Sequence, residues 1–326
     1  MIFLHVGHSK TGSSAIQSFL ALNRDLLAEY GVDYPAHPSD EKAAAGRISS
    51  GNVRVKGDWH NTALEKIDQS NCEHVLFSNE TLFGRLNAAS LEAIASRHET
   101  TVIVYLRDPV DHMYSAYGQM IKRGGETGDV DAYARRYQLP MAVLRLFRMV
   151  EGHNVRLEAR NYSHHKKDII ANFVEIILPE GHRDFLERAE IHEQPINRSL
   201  TLAEYELQKC FNQAYGKGSS RFISDPLVES LPDVAAERHR VSNATLAIME
   251  ERLSREVGEI NKRVPDSEHI TLRTEPNETD TGPSETYSFS REQLTALAKS
   301  ITRELRKPRA TDAQPAPGPA HDEPAG

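Results

Sequence analysis

IFLHVGHSKTGSS, residues 2–14, sets a short apolar stretch directly against a glycine-flanked polar loop. Ile2 to Val6 reads as a strand buried in the interior, and it enters Gly7 without a spacer. From Ser13 onward Ile16, Phe19, Leu20, Leu26, Leu27 and Tyr30 recur near helical spacing, which predicts a helix over 13–30 that ends at Gly31. A strand, a tight loop and a helix in that order aim free backbone N–H groups and the positive helix end at an anion. Within the loop Gly7 and Gly12 permit the sharp turn and a close approach of backbone to ligand. Lys10 supplies a point charge, and Thr11, Ser13 and Ser14 supply hydroxyl donors.

Working outward, HVLFS (74–78), TVIVYL (101–106) and NVRLEA (154–159) read as further strands, with helices over 82–96, 109–123, 129–150 and 165–178 between and after them. In the second of these helices Pro109 stands at the first turn, Val110, Met113, Tyr114, Tyr117, Met120 and Ile121 form the apolar stripe, and Gly124 and Gly125 stop it. Strands alternating with helices predict a mostly parallel sheet covered on both faces, a three-layer α/β/α architecture. Residues 36–60 are polar, dotted with glycine and aperiodic, so they read as an irregular segment bordering a site. After residue 180 the strand signal fades and helices are expected near 201–214 and 238–262, a helical cap or flank over roughly 180–265. Ser290 with Gln293 makes a capping box for a last helix to about Leu305. One α/β domain over 1–305 and a disordered Pro, Ala and Gly-rich tail over 306–326 are therefore expected.

Bulk properties narrow the function classes. The 326 residues carry 47 acidic and 39 basic side chains, a formal net charge of -8, so no global field favours nucleic acid or an anionic membrane. An anionic ligand must be held by a local site. No stretch is apolar enough to span a bilayer, and the N-terminus lacks the pattern of a signal peptide. Two cysteines far apart imply no disulfide framework, and a cytoplasmic location follows as the default.

The loop is not an ordinary triphosphate loop. That pattern is G-x-x-x-x-G-K-[ST], whereas here Ser13 follows Gly12 and the lysine stands two positions before the glycine. HVGHSKTGSSAIQ instead resembles the 5′-phosphosulfate-binding loop of the sulfotransferases that use 3′-phosphoadenosine 5′-phosphosulfate (PAPS), whose members show a strand followed by K-[TS]-G-[TS]-[TS]. The resemblance implies a P-loop-like α/β fold. It also implies that Lys10 contacts the oxygen bridging phosphate and sulfate, while Thr11, Gly12, Ser13 and Ser14 hold the 5′-phosphate.

A second motif stands where that family requires one. Strand TVIVYL is followed by Arg107-Asp108-Pro109 and, eight residues after the arginine, by Ser115, which resembles the family's 3′-phosphate-binding element. The physics agrees, because an arginine leaving the C-terminal end of a parallel strand points into the crevice where such sheets bind ligands, and its planar fork suits a phosphate. Asp108 could instead mimic the Mg-binding aspartate of ATPases. Weaker echoes of the family run through residues 160–178 and Asn197-Arg198-Ser199-Leu200, so the likeness extends to about residue 200 with its strong motifs in the first 125.

Sulfuryl transfer places negative charge on the leaving phosphate oxygen, so a cation fixed there lowers the barrier, and Lys10 is the candidate. No metal is called for. The acceptor hydroxyl must shed a proton, and Glu80, closing the strand that ends Ser78-Asn79, is the first candidate base, with His8 and His60 behind it. Its other reading is a helix N-terminal glutamate without catalytic duty. The glutamate points by analogy to the carbohydrate-acting, bacterial-type members, and so to a carbohydrate or glycolipid acceptor. The turn Lys217 to Arg221 reads as an exposed polar turn, with the donor's 3′-phosphate as its alternative contact. Two other functions remain open at this point: a nucleoside-triphosphate-dependent phosphotransferase, and a non-catalytic nucleotide-binding protein.

Overall fold

The computed structural model describes residues 1–38, 40–44, 51–191, 198–272 and 286–306. Residues 45–50, Asn197 and the tail from Lys307 onward, which bear on expectations above, lie outside the described residues.

Among the described residues, strands β1 (Ile2–Val6), β2 (Val32–Asp33), β3 (His74–Asn79), β4 (Thr100–Leu106) and β5 (Val155–Asn161) form one sheet. Its order is β2-β3-β1-β4-β5, and every pairing is parallel. The longer helices are α1 (Ser13–Leu22), α2 (Trp59–Gln69), α3 (Pro109–Gln119), α4 (Leu139–Glu151), α5 (Ile169–Ile177), α6 (Leu202–Tyr215), α7 (Asn243–Asn261) and α8 (Arg291–Leu305). The expected α/β class with a parallel sheet is what the chain forms.

Alternation along the strands explains the layers. Ile2, Leu4 and Val6 join Phe77, Val102 and Val104 in a core shared with Trp59 of α2, Phe147 of α4 and Ile260 of α7. Phe3, Leu76, Ile103 and Tyr105 face the other way, onto Ile16 and Leu20 of α1 and Phe173 of α5. A sheet apolar on both faces must be covered on both, which is why its strands read as nearly continuous apolar runs. His5 is a buried polar residue on β1. Its ring packs edge-on against Phe173 and its Nδ1 meets Ser78 Oγ at 2.8 Å, so one nitrogen is satisfied inside the core.

The chain leaves β1 for β2 and β3 on one side, then crosses to β4 and β5 on the other. The ends of β1, β3 and β4 therefore meet at a topological switch point, where parallel sheets open a crevice. Helix α3 lies across this edge, its Val110 and Met113 packed with Met249 and Leu253 of α7 and its Tyr117 with Tyr205 of α6.

Several local expectations are corrected. The predicted helix over 13–30 is broken at Asn23, whose amide donates to Phe19 O at 2.9 Å and to Glu190 O at 2.8 Å, pinning the chain to a distant segment. The helix expected over 129–150 is two, Val130–Arg135 and α4, separated ahead of Pro140, a residue that restricts its predecessor and lacks an N–H. Helix α2, whose Trp59, Ala63 and Ile67 recur at helical spacing, and the two-residue edge strand β2 are elements that the sequence reading did not name. The capping box at Ser290 and Gln293 is present as expected. Among the described residues, no helix is long and apolar enough to cross a membrane.

Candidate functional site

The loop between β1 and α1 carries a left-handed turn in which Lys10 (φ 69°) and Gly12 (φ 81°) both have positive φ. Lys10 is the only non-glycine among the described residues to do so, a strained conformation of the kind that clusters at functional sites. Gly12 is required twice over. A Cβ there would lie 2.4 Å from Ile169 Cδ1 and 3.1 Å from Tyr162 Cε2, because the end of β5 and the start of α5 close directly on the loop.

The loop's interior is bound to itself. Thr11 is fully buried and its Oγ1 donates to His8 O at 2.8 Å, so this hydroxyl shapes the turn. Ser13 Oγ donates to Glu80 Oε1 at 2.5 Å, joining the loop to the end of β3. Ser14, at the first turn of α1, is half-buried. Gly7 lies under Ser13, where a Cβ would stand 2.9 Å from Ser13 Cβ.

Helix α3 is tied to the loop at two levels. His112 Nε2 meets Ser9 O at 2.9 Å, and two turns later Gln119 Oε1 accepts from Lys10 Nζ at 3.2 Å. Between these elements Arg107 leaves β4 and donates from Nη1 to Lys10 O at 3.1 Å, its guanidinium stacked 5.4 Å from the Tyr162 ring centre. Burial lowers the Lys10 ammonium from its ordinary value. Glu80 opposes that shift, while Arg107 and Arg123 add to it. Burial likewise lowers the Arg107 guanidinium. Two cations held this close, partly out of water, create a local positive field in a chain whose net charge is negative.

Arg107 and Ser115 line one cleft of about 200 Å³, with Tyr114, Tyr205, Arg238 and His239 around it. Asp111 on α3 holds Arg238 through Nη1 at 2.8 Å, and the Arg238 guanidinium lies over the Tyr114 ring. His239 is pushed down to about 4 by burial, then by Lys209, and its ring packs against Tyr117 and Tyr205. It is therefore neutral near pH 7 and offers the cleft an aromatic surface. The structure thus brings together Gly7, Lys10, Thr11, Gly12, Ser13, Ser14, Glu80 and Arg107 at one sheet edge, with Ser115 farther along α3 in the cleft that Arg107 opens.

Other candidates fall elsewhere. His8 is 3% exposed, its ring wedged between Phe83 and His112, and burial pulls it down to about 4. Its ring lines a small cavity with Arg107 and Tyr137 rather than the cleft that holds Ser115. His60 stands at the start of α2, a helix whose Trp59, Ala63 and Ile67 are committed to the core, and no described contact joins it to the loop. Asp108 is 2% exposed and its Oδ1 accepts the Thr271 N–H at 2.7 Å, so its carboxylate is not presented to the crevice. In the turn from Lys217, Ser220 Oγ accepts from Arg123 at 3.0 Å, while exposed Arg221 lies over its own neighbour Phe222. Neither Lys217 nor Arg221 lines the Arg107 cleft. Arg198 is a core residue instead, its fork engaged by Glu204 at 2.8 Å on both nitrogens.

Sequence reading missed Arg238 and His239, which reach the cleft from an extended segment ahead of α7 where the pattern predicts a helix. The cue is in the chain, since Ser242 caps α7 and marks its start at Asn243.

No family model matches the chain, and no curated protein matches it. Among solved structures it is similar to a sulfotransferase from Alicyclobacillus acidocaldarius, at 14% identity and a TM-score of 0.33, over 66% of this chain and 93% of that one. Identity and TM-score are too low for that likeness to bear on function.

Proposed function

We propose that the chain is a sulfotransferase that moves the sulfuryl group of PAPS to a hydroxyl of a carbohydrate or glycolipid acceptor by in-line displacement. The observation that carries this reading is the contact between its two motifs, Arg107 Nη1 on Lys10 O at 3.1 Å, which joins the loop that bears Lys10 to the arginine at the end of β4. A nucleotide bearing phosphates at both ends of its ribose needs two such cations, and the residues suit it. Backbone N–H groups of the loop, that of Ser13 among them, and the Ser14 hydroxyl receive the 5′-phosphate at the start of α1, while the Ser13 hydroxyl stays on Glu80. Arg107 and Ser115 receive the 3′-phosphate, with Arg238 beside them and Tyr114, Tyr205 and His239 as flat surfaces in the same cleft.

The chemistry follows from that placement. A lone pair of the acceptor oxygen forms a bond to sulfur, and the bond from sulfur to the bridging oxygen breaks with its electron pair left on the 5′-phosphate. Lys10 stabilises that developing charge, and it does so more strongly for being partly shielded from water. The acceptor proton passes to the Glu80 carboxylate, which sits against the loop through Ser13 and within the field of Lys10.

The phosphotransferase reading loses its candidate metal ligand, because Asp108 is buried and engaged with the Thr271 backbone. The test is direct: the purified chain is incubated with PAPS and a panel of polysaccharide and glycolipid acceptors. Release of adenosine 3′,5′-bisphosphate coupled to acceptor sulfation is expected, and transfer of phosphate from Mg-ATP in place of it would overturn the reading.

A further inference from the structure

Three consecutive carbonyls of the phosphate loop, those of His8, Ser9 and Lys10, are each held by a side chain. His8 O accepts from Thr11 Oγ1 at 2.8 Å, and Lys10 O accepts from Arg107 Nη1 at 3.1 Å. Between them Ser9 O accepts twice, from His8 Nδ1 at 3.1 Å and from His112 Nε2 at 2.9 Å. A trans peptide is planar with its C=O and N–H opposed, so fixing each oxygen also fixes the direction of the next N–H. The two bonds on Ser9 therefore orient the N–H of Lys10, the residue at φ 69°, and among the described residues no carbonyl accepts from that N–H. Successive N–H groups turned to one side by a left-handed residue make an anion-binding concavity.

The His112 ring comes from α3, the helix that also carries Ser115, and its partners dictate where its proton sits. A carbonyl only accepts, so Nε2 bears the proton, Nδ1 is left as an acceptor, and the Tyr137 hydroxyl donates to it at 2.9 Å. The same reasoning places the His8 proton on Nδ1. Burial keeps both members of the pair uncharged, lowering the His112 imidazole well below its ordinary value with help from His8 and raising the Tyr137 phenol well above its own.

Phenol, imidazole and carbonyl thus form a one-way row of donors that ends on the loop, and in such a row each bond strengthens the next. Packing alone does not call for it. Tyr137 is 7% and His112 4% exposed, and apolar side chains of the same shape would fill that space without two polar groups to satisfy. What the row supplies beyond packing is the direction of one peptide.

Resting on the sulfotransferase reading, we propose that His112, oriented by Tyr137, is a positioning residue for the 5′-phosphate, turning the Ser9–Lys10 peptide so that the Lys10 N–H donates to that phosphate. Neither ring touches the nucleotide. The effect is confined to one end of the donor, because the 3′-phosphate belongs to the cleft of Arg107 and Ser115, which neither His112 nor Tyr137 lines.

The test measures by calorimetry the affinity of adenosine 3′,5′-bisphosphate and of adenosine 3′-monophosphate for the wild type, His112→Phe, His112→Gln and Tyr137→Phe. The two ligands differ only at the 5′ end. His112→Phe keeps a ring and removes the donor, so it should lower bisphosphate affinity about tenfold, the scale of one charge-assisted phosphate contact, and leave the monophosphate within about twofold. His112→Gln, whose amide N–H can reach the Ser9 carbonyl, should recover most of the loss. Tyr137→Phe should lower the ratio of bisphosphate to monophosphate affinity by about threefold, and it carries the test should His112→Phe not fold. An equal loss of both ligands, which a general loosening of the fold would give, overturns the proposal. So does an unchanged bisphosphate affinity, or a His112→Gln no better than His112→Phe. Failure of the wild type to bind the bisphosphate at all would instead remove the sulfotransferase reading beneath it.

Discussion

Arg107 donates to the Lys10 carbonyl at 3.1 Å, although the two residues are 97 positions apart and belong to different strand-to-helix connections. The bond spends one guanidinium nitrogen on the loop's shape and leaves the rest of the fork to the cleft shared with Ser115. Fixing the loop and the cleft to each other fixes the spacing between two phosphate sites, which is the property a doubly phosphorylated nucleoside would demand.

Lys10→Ala should lower turnover of PAPS by about 10² to 10³, the scale of removing one preplaced donor to a developing charge. Binding of the bisphosphate product, which lacks the bridging position, should change far less. Single-turnover kinetics separate the two, and near-normal turnover would refute the assignment.

Glu80→Gln should retain bisphosphate binding and lose transfer. The glutamine carbonyl can still accept the Ser13 hydroxyl that now reaches Glu80 at 2.5 Å, so the loop keeps its shape while the proton acceptor is gone. Titration calorimetry with a transfer assay reads both, and an unchanged rate would assign the proton to another group.

Gly12→Ala should destabilise the fold by roughly 1–3 kcal/mol, since alanine is strained at φ 81° and its methyl would meet Ile169 Cδ1 at 2.4 Å. The measurement is Tm, and an unshifted melting curve would show that the loop is not held as described.

Stability should fall as pH drops below about 6.5, the ordinary value for a histidine. Burial holds His5 at about 3 and His8 at about 4 in the folded chain, both well under the 6.5 that each regains on unfolding. The unfolded state therefore binds more protons below 6.5, and the stabilisation present above that value is lost as pH falls toward 4 and then 3. Each histidine contributes a slope of about 1.4 kcal/mol per pH unit inside its window. Chemical denaturation from pH 7 to 4 checks this, and His8→Phe should flatten the curve; an equal slope in the variant would contradict it.

The core of the site was legible because its signals are local. A strand, a glycine, a lysine and hydroxyls followed by a helix fit within residues 2–14, and Arg107 and Pro109 mark a strand end and a helix start by their own chemistry. What escaped was non-local. Asn23 breaks a helix because Glu190 offers it partners, and Arg238 and His239 enter the cleft by tertiary packing. After α3 a π-turn over Met120–Gly124 exposes Met120 and buries Lys122, because Asn212, 91 positions beyond Ile121, stabilises a wider turn that 3.6-residue periodicity cannot express. The fold class survived these errors because the alternation of β-strands and helices depends on many residues at once.

The most direct measurement is a calorimetric titration of the wild type and Arg107→Ala with adenosine 3′,5′-bisphosphate and, separately, with ATP plus Mg²⁺. The wild type should bind the bisphosphate in preference to Mg-ATP, and Arg107→Ala should weaken that binding by about tenfold or more, the worth of a charge-assisted phosphate contact. Preference for Mg-ATP, or a bisphosphate affinity indifferent to Arg107, would contradict the account.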